Sequence, residues 1–244
     1  MSIKILDCTL RDGGYVNNWK FSQSQISKII KALDKSNIDI IELGYLDDKK
    51  GNSINSTLFD SVASVDKVIG GLAQAVQKVA MIDLFSFDLD KLPLQSSTKI
   101  SGIRLAFHKK DINDALKAAE KIIDLGYQLF FQPMVTKDYT DDDFLALITK
   151  VNSLNIYAFY VVDSFGSMSL NEFQHYISLA HGTLNSPIAL GYHSHNNMQL
   201  AFSNAINLCS EKIDREVILD SSIYGMGRGA GNLNTELIAD YINT

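Results

Sequence analysis

Apolar runs of four to eight residues recur along this 244-residue chain, separated by longer stretches whose apolar positions return every three to four residues. The short runs suit strands buried on both faces, and the intervening period is that of helices with one buried face. Eight strands are predicted, near Ile3–Asp7, Ile38–Leu43, Lys78–Ile82, Gly102–Ala106, Gln128–Gln132, Ala158–Asp163, Ile188–His193 and Val217–Asp220. Helical pattern follows most of them, over Gln23–Lys35, Asn113–Leu125, Asp141–Leu154, Leu170–Ala180, Met198–Cys209 and Leu233–Ile242. Thr140 with Asp143 and Ser169 with Glu172 have the spacing of a capping box at two of the helix starts. The second and third helices give no clear pattern.

Eight such units in this length predict a single-domain TIM (β/α)8 barrel over residues 1–244, since a doubly wound sheet more often carries five to seven strands. Barrel chemistry sits at the C-terminal ends of the strands. Asp7, Glu42, His108, Gln132, Asp163 and His193 all fall at or just past such ends, as does a glycine-rich segment after the eighth strand. Packing gives no reason for polar residues to recur there.

Composition narrows the picture. At 46% apolar content, and without a Pro/Gly/Ser-rich linker, the chain buries one sizeable core. A net charge of −6 without a Lys/Arg cluster argues against nucleic acid as a partner. Cys8 and Cys209 are too few for a disulfide framework and read as buried free thiols. With neither a signal-like start nor an apolar stretch of spanning length, the expectation is a soluble, cytoplasmic protein with no membrane partner. A homo-oligomer stays open.

Two polar motifs at opposite ends of the chain carry the candidate chemistry. Asp7-Cys8-Thr9-Leu10-Arg11-Asp12-Gly13-Gly14 follows the first strand, and Gly191-Tyr192-His193-Ser194-His195-Asn196-Asn197 ends the seventh. Side chains alternate along a strand, so His193 and His195 point the same way, and in a closed barrel the first strand lies two away from the seventh, across the eighth. One cation is then within reach of Asp12 and both imidazoles, with positions left for a bidentate 2-keto acid. The mixed N/O donors suit Mn²⁺, Mg²⁺, Co²⁺ or Zn²⁺. Gly225-Met226-Gly227-Arg228-Gly229-Ala230-Gly231-Asn232 has three readings: a phosphate cradle, a tight loop that brings Asn232 to the metal, or a turn that needs positive φ.

These motifs resemble the DRE-TIM metallolyases, which include 3-hydroxy-3-methylglutaryl-CoA lyase, 4-hydroxy-2-oxovalerate aldolase and the isopropylmalate and homocitrate synthases. The resemblance spans essentially the whole chain. It implies Asp12, His193 and His195 as ligands of a divalent metal, Mn²⁺ or Mg²⁺ first, with Asn232 of Gly-Asn-Leu-x-Thr-Glu as a fourth. It also implies that Arg11 stabilises the enolate oxygen, that Glu42 is the acidic partner at the end of the second strand, and that Asp163 matches the family's Asp-Ser/Thr-x-Gly. Gln132, at another strand end, joins Arg11, Glu42 and Asp163 as a substrate-binding candidate.

Three departures narrow the choice of reaction. The lyase's glycine-loop cysteine is replaced by Gly229, which argues against acyl-CoA cleavage. The aldolases' histidine base, three residues after the ligating aspartate, is replaced by Tyr15. Their C-terminal helical domain, which docks an acylating aldehyde dehydrogenase, has no counterpart before Thr244, so no channelling partner and no accessory domain are expected.

The reading is therefore a metal-dependent class II aldolase acting on a 2-keto acid such as pyruvate, with an aldehyde as co-substrate. Its rivals are a Claisen-type acyl-CoA synthase or lyase, and a catalytically silent ligand-binding barrel. The base is open between Tyr15, His108 and metal-bound hydroxide. An unperturbed phenol near ~10 is a weak base at neutrality, and an imidazole near ~6.5 is better suited. His175 and His181 lie on or just after a helix and receive no role.

Overall fold

The computed structural model describes residues 2–51, 55–69 and 76–243. Eight parallel strands, β1 (Ser2–Asp7), β2 (Ile40–Leu46), β3 (Gln77–Asp83), β4 (Gly102–Phe107), β5 (Gln128–Pro133), β6 (Ala158–Asp163), β7 (Ala189–Ser194) and β8 (Glu216–Ser221), pair in sequence order. β8 pairs back onto β1, and β1 onto β2, so the sheet closes as the expected TIM barrel. A two-residue strand, Leu58–Phe59, is added beside Tyr45 and Leu46 of β2.

Helices cover the outside at Gln23–Lys35, Val62–Ile69, Ile112–Asp124, Asp141–Val151, Leu170–Thr183, Ala201–Ser210 and Thr235–Asn243. Ser169 and Glu172 form a complete capping box, as do Ser22 and Gln25. Thr140 is only half of one: it accepts from the Asp143 N–H, but the Asp143 carboxylate takes the Thr140 hydroxyl instead of a backbone N–H. Between β3 and β4 the third helix is replaced by two 3₁₀ turns, Leu89–Lys91 and Gln95–Ser97. Pro93 lies between them, and a proline holds the residue before it extended, which stops a helix from running through.

Alternation along the strands sorts the side chains into two layers. Leu6, Ile40, Val79, Phe130, Ala158, Tyr160, Val162, Ala189 and Ile218 pack together inside the barrel, whereas Ile41, Leu43, Ile103, Leu105, Leu129, Phe131, Phe159, Val161, Leu190, Tyr192, Val217 and Leu219 join the core under the helices. Glu42, Arg104, Gln132, His193 and Asp220 share the parity of the inner set. Asp163 shares that of the outer one. A one-residue slip of any strand would exchange the two sets, so the apolar pattern that fixes the register also aims the polar residues.

Candidate active site

The turn after β1 is tied down before any chemistry begins. The Asp7 carboxylate accepts from the Thr9 N–H at 2.9 Å and the Thr235 hydroxyl at 2.7 Å, and the Thr9 hydroxyl accepts from the Ile223 N–H at 2.8 Å. These bonds hold the helical turn Thr9–Asp12 against the loop after β8 and the final helix. Arg11 and Asp12 are thereby buried at the C-terminal end of the barrel.

From Asp12 a closed ring of charged side chains runs around the barrel interior. Arg11 Nη1 lies 2.7 Å from Asp12 Oδ1, and Arg11 Nε donates to Glu42 Oε2 at 2.9 Å. Arg104 Nη1 meets that same Glu42 oxygen at 2.8 Å, and its Nη2 pairs with Asp220 Oδ2. Asp220 Oδ2 also receives His193 Nδ1 at 2.8 Å, and His193 Nε2 returns to Asp12 Oδ2 at 3.5 Å. All six residues are buried. Three carboxylates against two guanidiniums leave the ring one formal negative charge in excess, which favours a cation.

Asp12 is held ionised. Burial alone would raise its carboxyl, but Arg11, the two imidazoles and the Asn232 amide, which donates to Oδ2 at 2.6 Å, outweigh burial and hold it at about 2. His195 is pushed down to about 4 by burial and by His193, against the attraction of Asp12, so it is neutral at physiological pH. A neutral imidazole and an ionised carboxylate are the forms that ligate metals.

The glycine loop brings Asn232 to Asp12. Asn196 N–H donates to the Gly231 carbonyl at 2.8 Å and His195 bridges Asn232, which pins the loop to the end of β7. Gly231 has φ +90°, and a Cβ there would stand 2.1 Å from the Gly225 carbonyl oxygen. At Gly227 a Cβ would meet Asn232 Oδ1 at 2.5 Å. Both positions need glycine for Asn232 to reach Asp12.

A divalent metal fits these residues. Two donors of one small cation are ~3.0–3.4 Å apart when each binds at ~2.1 Å, and Asp12 Oδ2 and His193 Nε2 stand 3.5 Å apart. His195 Nδ1 and Asn232 Oδ1 are buried without a hydrogen-bond partner among the described residues; the His195 ring stands 5.3 Å from that of His193, outside the close group of donors, and Asn232 turns its amide nitrogen to Asp12. Asp220 fixes the His193 tautomer by taking its Nδ1 proton, which turns the Nε2 lone pair toward Asp12. Cys8 Sγ is also close, within 4.8 Å of the Asp12 and His193 donors. Burial pushes that thiol well up, and it donates to the Ser221 carbonyl at 3.0 Å.

The remaining predicted residues divide between the site and its surroundings. A cavity of about 80 Å³ is lined by Arg11, Asp12, Tyr15, Gln132, His193 and His195, among others. Gln132 turns its amide oxygen to Arg104 Nε at 2.7 Å. Tyr15 stands at the cavity edge with its hydroxyl 3.3 Å from that of Tyr45. Glu42 is inside but faces the two arginines instead of the cavity.

Asp163 and His108 are not brought in. Asp163 lies on the outward parity of β6 and accepts from the backbone N–H groups of Ser167 and Met168, both at 3.0 Å, so it shapes a loop. His108 is exposed and lines a separate hollow with Lys109, Lys110, Met134 and Asp138. Sequence reasoning missed Arg104, Asp220 and Tyr45. A bulge between Glu42 and Tyr45, at Gly44, reverses the alternation and sets the Tyr45 ring over the Arg11 guanidinium at 5.7 Å.

Residues 2–244 match the family model described as HMGL-like. The chain belongs to the HMGL-like family. Among its relatives, "4-hydroxy-2-oxovalerate aldolase 6" of Rhodococcus jostii is 26% identical over 239 residues, covering 97% of this chain and 66% of the relative. The chain thus spans about two thirds of the length of that curated relative. A solved N-terminal domain of a proposed aldolase from Bacteroides vulgatus superposes with a TM-score of 0.80 at 27% identity, covering 99% of this chain and 79% of that one. The HMG-CoA lyase of Brucella melitensis shares the fold, with a TM-score of 0.75 at 15% identity over 99% of this chain and 90% of the other. Membership of the HMGL-like family bears out the expected DRE-TIM resemblance, supports a carbon–carbon lyase and implies a divalent metal.

Proposed function

We propose that this chain is a divalent-metal-dependent aldolase that makes or breaks the carbon–carbon bond next to a 2-keto acid of the pyruvate type, with an aldehyde as the second partner. The observation that supports the reading is the meeting of Asp12, His193 and Asn232 beside Arg11, in a cavity that His195 also lines. Mn²⁺ or Mg²⁺ suits a donor set of one carboxylate, one amide oxygen and two imidazoles. Relatives named as aldolases point to the same bond class.

When bound, the cation supplies Lewis-acid stabilisation of negative charge on the keto oxygen. Arg11 supplies the matching donors. Its Nε and Nη1 are held by Glu42 and Asp12, while its buried Nη2 has no hydrogen-bond partner among the described residues and is free to donate to a substrate oxygen. Because the guanidinium is fixed before substrate arrives, little reorganisation is needed as charge develops. Tyr15 is the side chain placed to move a proton, at its hydroxyl oxygen. Burial keeps the Tyr45 hydroxyl protonated, and it stands 3.3 Å from that of Tyr15. Gln132, held by Arg104, forms part of the cavity wall that orients the small acid.

Incubating the protein with Mn²⁺, pyruvate and a panel of short aldehydes, with NMR detection of 4-hydroxy-2-keto acids, tests the proposal. Product that disappears with EDTA and returns with Mn²⁺ is expected. Thiol release from acyl-CoA in place of any aldol product would move the activity to the Claisen-type rival.

A further inference from the structure

Arg104 belongs to the charged ring but does not line the cavity, yet it is completely buried and lies between both halves of the site. Its Nη1 meets the Glu42 oxygen that also receives Arg11 Nε, and its Nη2 meets the Asp220 oxygen that also receives His193 Nδ1. Gln132 takes its Nε at 2.7 Å, and the Tyr160 ring backs the guanidinium at 5.2 Å. The planar group is therefore contacted by residues from four strands, ion-paired to β2 and β8, hydrogen-bonded to β5 and backed by a ring of β6.

We propose that Arg104 is a positioning residue that sets, through Glu42 and Asp220, the orientation of Arg11 on one side of the site and of His193 on the other. The proposal rests on the metal-dependent reading above. A buried guanidinium costs several kcal/mol to desolvate, and apolar residues of similar volume often stabilise such a position better. Its retention is explained by geometry: a rigid fork bonds two carboxylates at a fixed separation and angle, which a point charge on a flexible stem cannot reproduce. Each carboxylate then passes that constraint to a residue that faces the cavity. Orientation of a ligating imidazole by a hydrogen-bonded carboxylate is commonly worth 10–100-fold in metal affinity.

Arg104→Lys keeps the positive charge between Glu42 and Asp220 and removes the fork. The expected result is a protein with the circular dichroism spectrum of the wild type whose Mn²⁺ affinity by calorimetry falls about 10-fold or more, and whose pyruvate enolisation falls mainly in kcat. A readout without metal accompanies it: in ¹⁵N-histidine NMR of the metal-free chain, His193 should carry its proton on Nδ1 in the wild type and lose that preference in Arg104→Lys. Asp220→Asn serves as the second variant if the lysine chain does not fold, and it should weaken Mn²⁺ binding likewise. A folded Arg104→Lys with native Mn²⁺ affinity and an unchanged His193 signal overturns the proposal, as does native Mn²⁺ affinity in Asp220→Asn. Absence of Mn²⁺ binding in the wild type would instead defeat the metal reading, and the metal-free His193 signal would still decide the role of Arg104.

Discussion

Asp12 and Asn232, 220 positions apart in the chain, meet through a 2.6 Å hydrogen bond from the Asn232 amide to Asp12 Oδ2. The contact closes the barrel's active end, because Asp12 follows β1 and Asn232 follows β8, and it brings the glycine loop within reach of His195. If this contact exists to assemble a metal site, crowding it should damage binding before it damages the fold. Gly227→Ala places a Cβ 2.5 Å from Asn232 Oδ1 and should weaken Mn²⁺ binding by about 10-fold while the thermal midpoint changes little. Calorimetry with Mn²⁺ alongside a melting curve checks both halves of that expectation, and an unchanged affinity would remove Asn232 from the ligand set.

Arg11 should act on the transition state more than on binding. Arg11→Lys keeps a positive charge beside Asp12 and Glu42 but leaves one of the two oxygens, or the substrate, without its donor. Steady-state kinetics should show kcat falling by a larger factor than KM rises. Equal losses in kcat for Arg11→Lys and for a distant surface substitution would show that Arg11 only neutralises its neighbours.

The base is tested by a pair of variants. Tyr15→Phe removes the hydroxyl that meets Tyr45 at the cavity edge and should cost on the order of 10²-fold in kcat, with Mn²⁺ binding retained. His108→Ala, in its separate hollow, should be mild. A crippled His108 variant beside an active Tyr15→Phe would reverse the assignment. If neither matters, metal-bound hydroxide takes the role, and the pH–rate profile should shift when Mn²⁺ replaces Mg²⁺.

Asp7 gives a pH dependence with a defined sign. Burial raises its carboxyl from 3.8 to about 6 despite the Thr9 and Thr235 hydrogen bonds. The folded state therefore binds this proton more tightly than the unfolded chain. The contribution of Asp7 to stability is fully present below pH 3.8 and is lost as pH rises to about 6. Asp7→Asn, which still accepts from Thr9 and donates to Thr235, should gain on the wild type by ~3 kcal/mol across that window. Urea midpoints of both proteins from pH 4 to 7 measure the difference, and a constant gap would contradict the shift.

Much of this was legible in the chain because one physical rule, alternation on a buried strand, served both fold and site. The apolar runs located all eight strands, and Asp12 with the His193/His195 pair followed from barrel closure and parity. The same rule applied to Asp163 would have turned it outward with Phe159 and Val161, and applied to Arg104 and Asp220 it would have marked charged residues facing inward in apolar strands. Tyr45 was out of reach, since a bulge at Gly44 reverses the parity and no periodicity announces it. The placement of His108 depends on how far a strand runs before its loop turns away. The third helix gave no pattern because it is not there, and Pro93 was the available sign.

The central claim is that Asp12, His193, His195 and Asn232 hold a divalent cation beside Arg11 for enolisation of a 2-keto acid. It is tested most directly by ¹H NMR of pyruvate in D₂O with the protein and Mn²⁺, the methyl signal being read after quenching and removal of the metal. The account predicts methyl exchange for deuterium that requires both Mn²⁺ and the protein and that is lost in Asp12→Asn, whose fold is intact. Exchange that proceeds undiminished in Asp12→Asn, or in the wild type with EDTA, would contradict it.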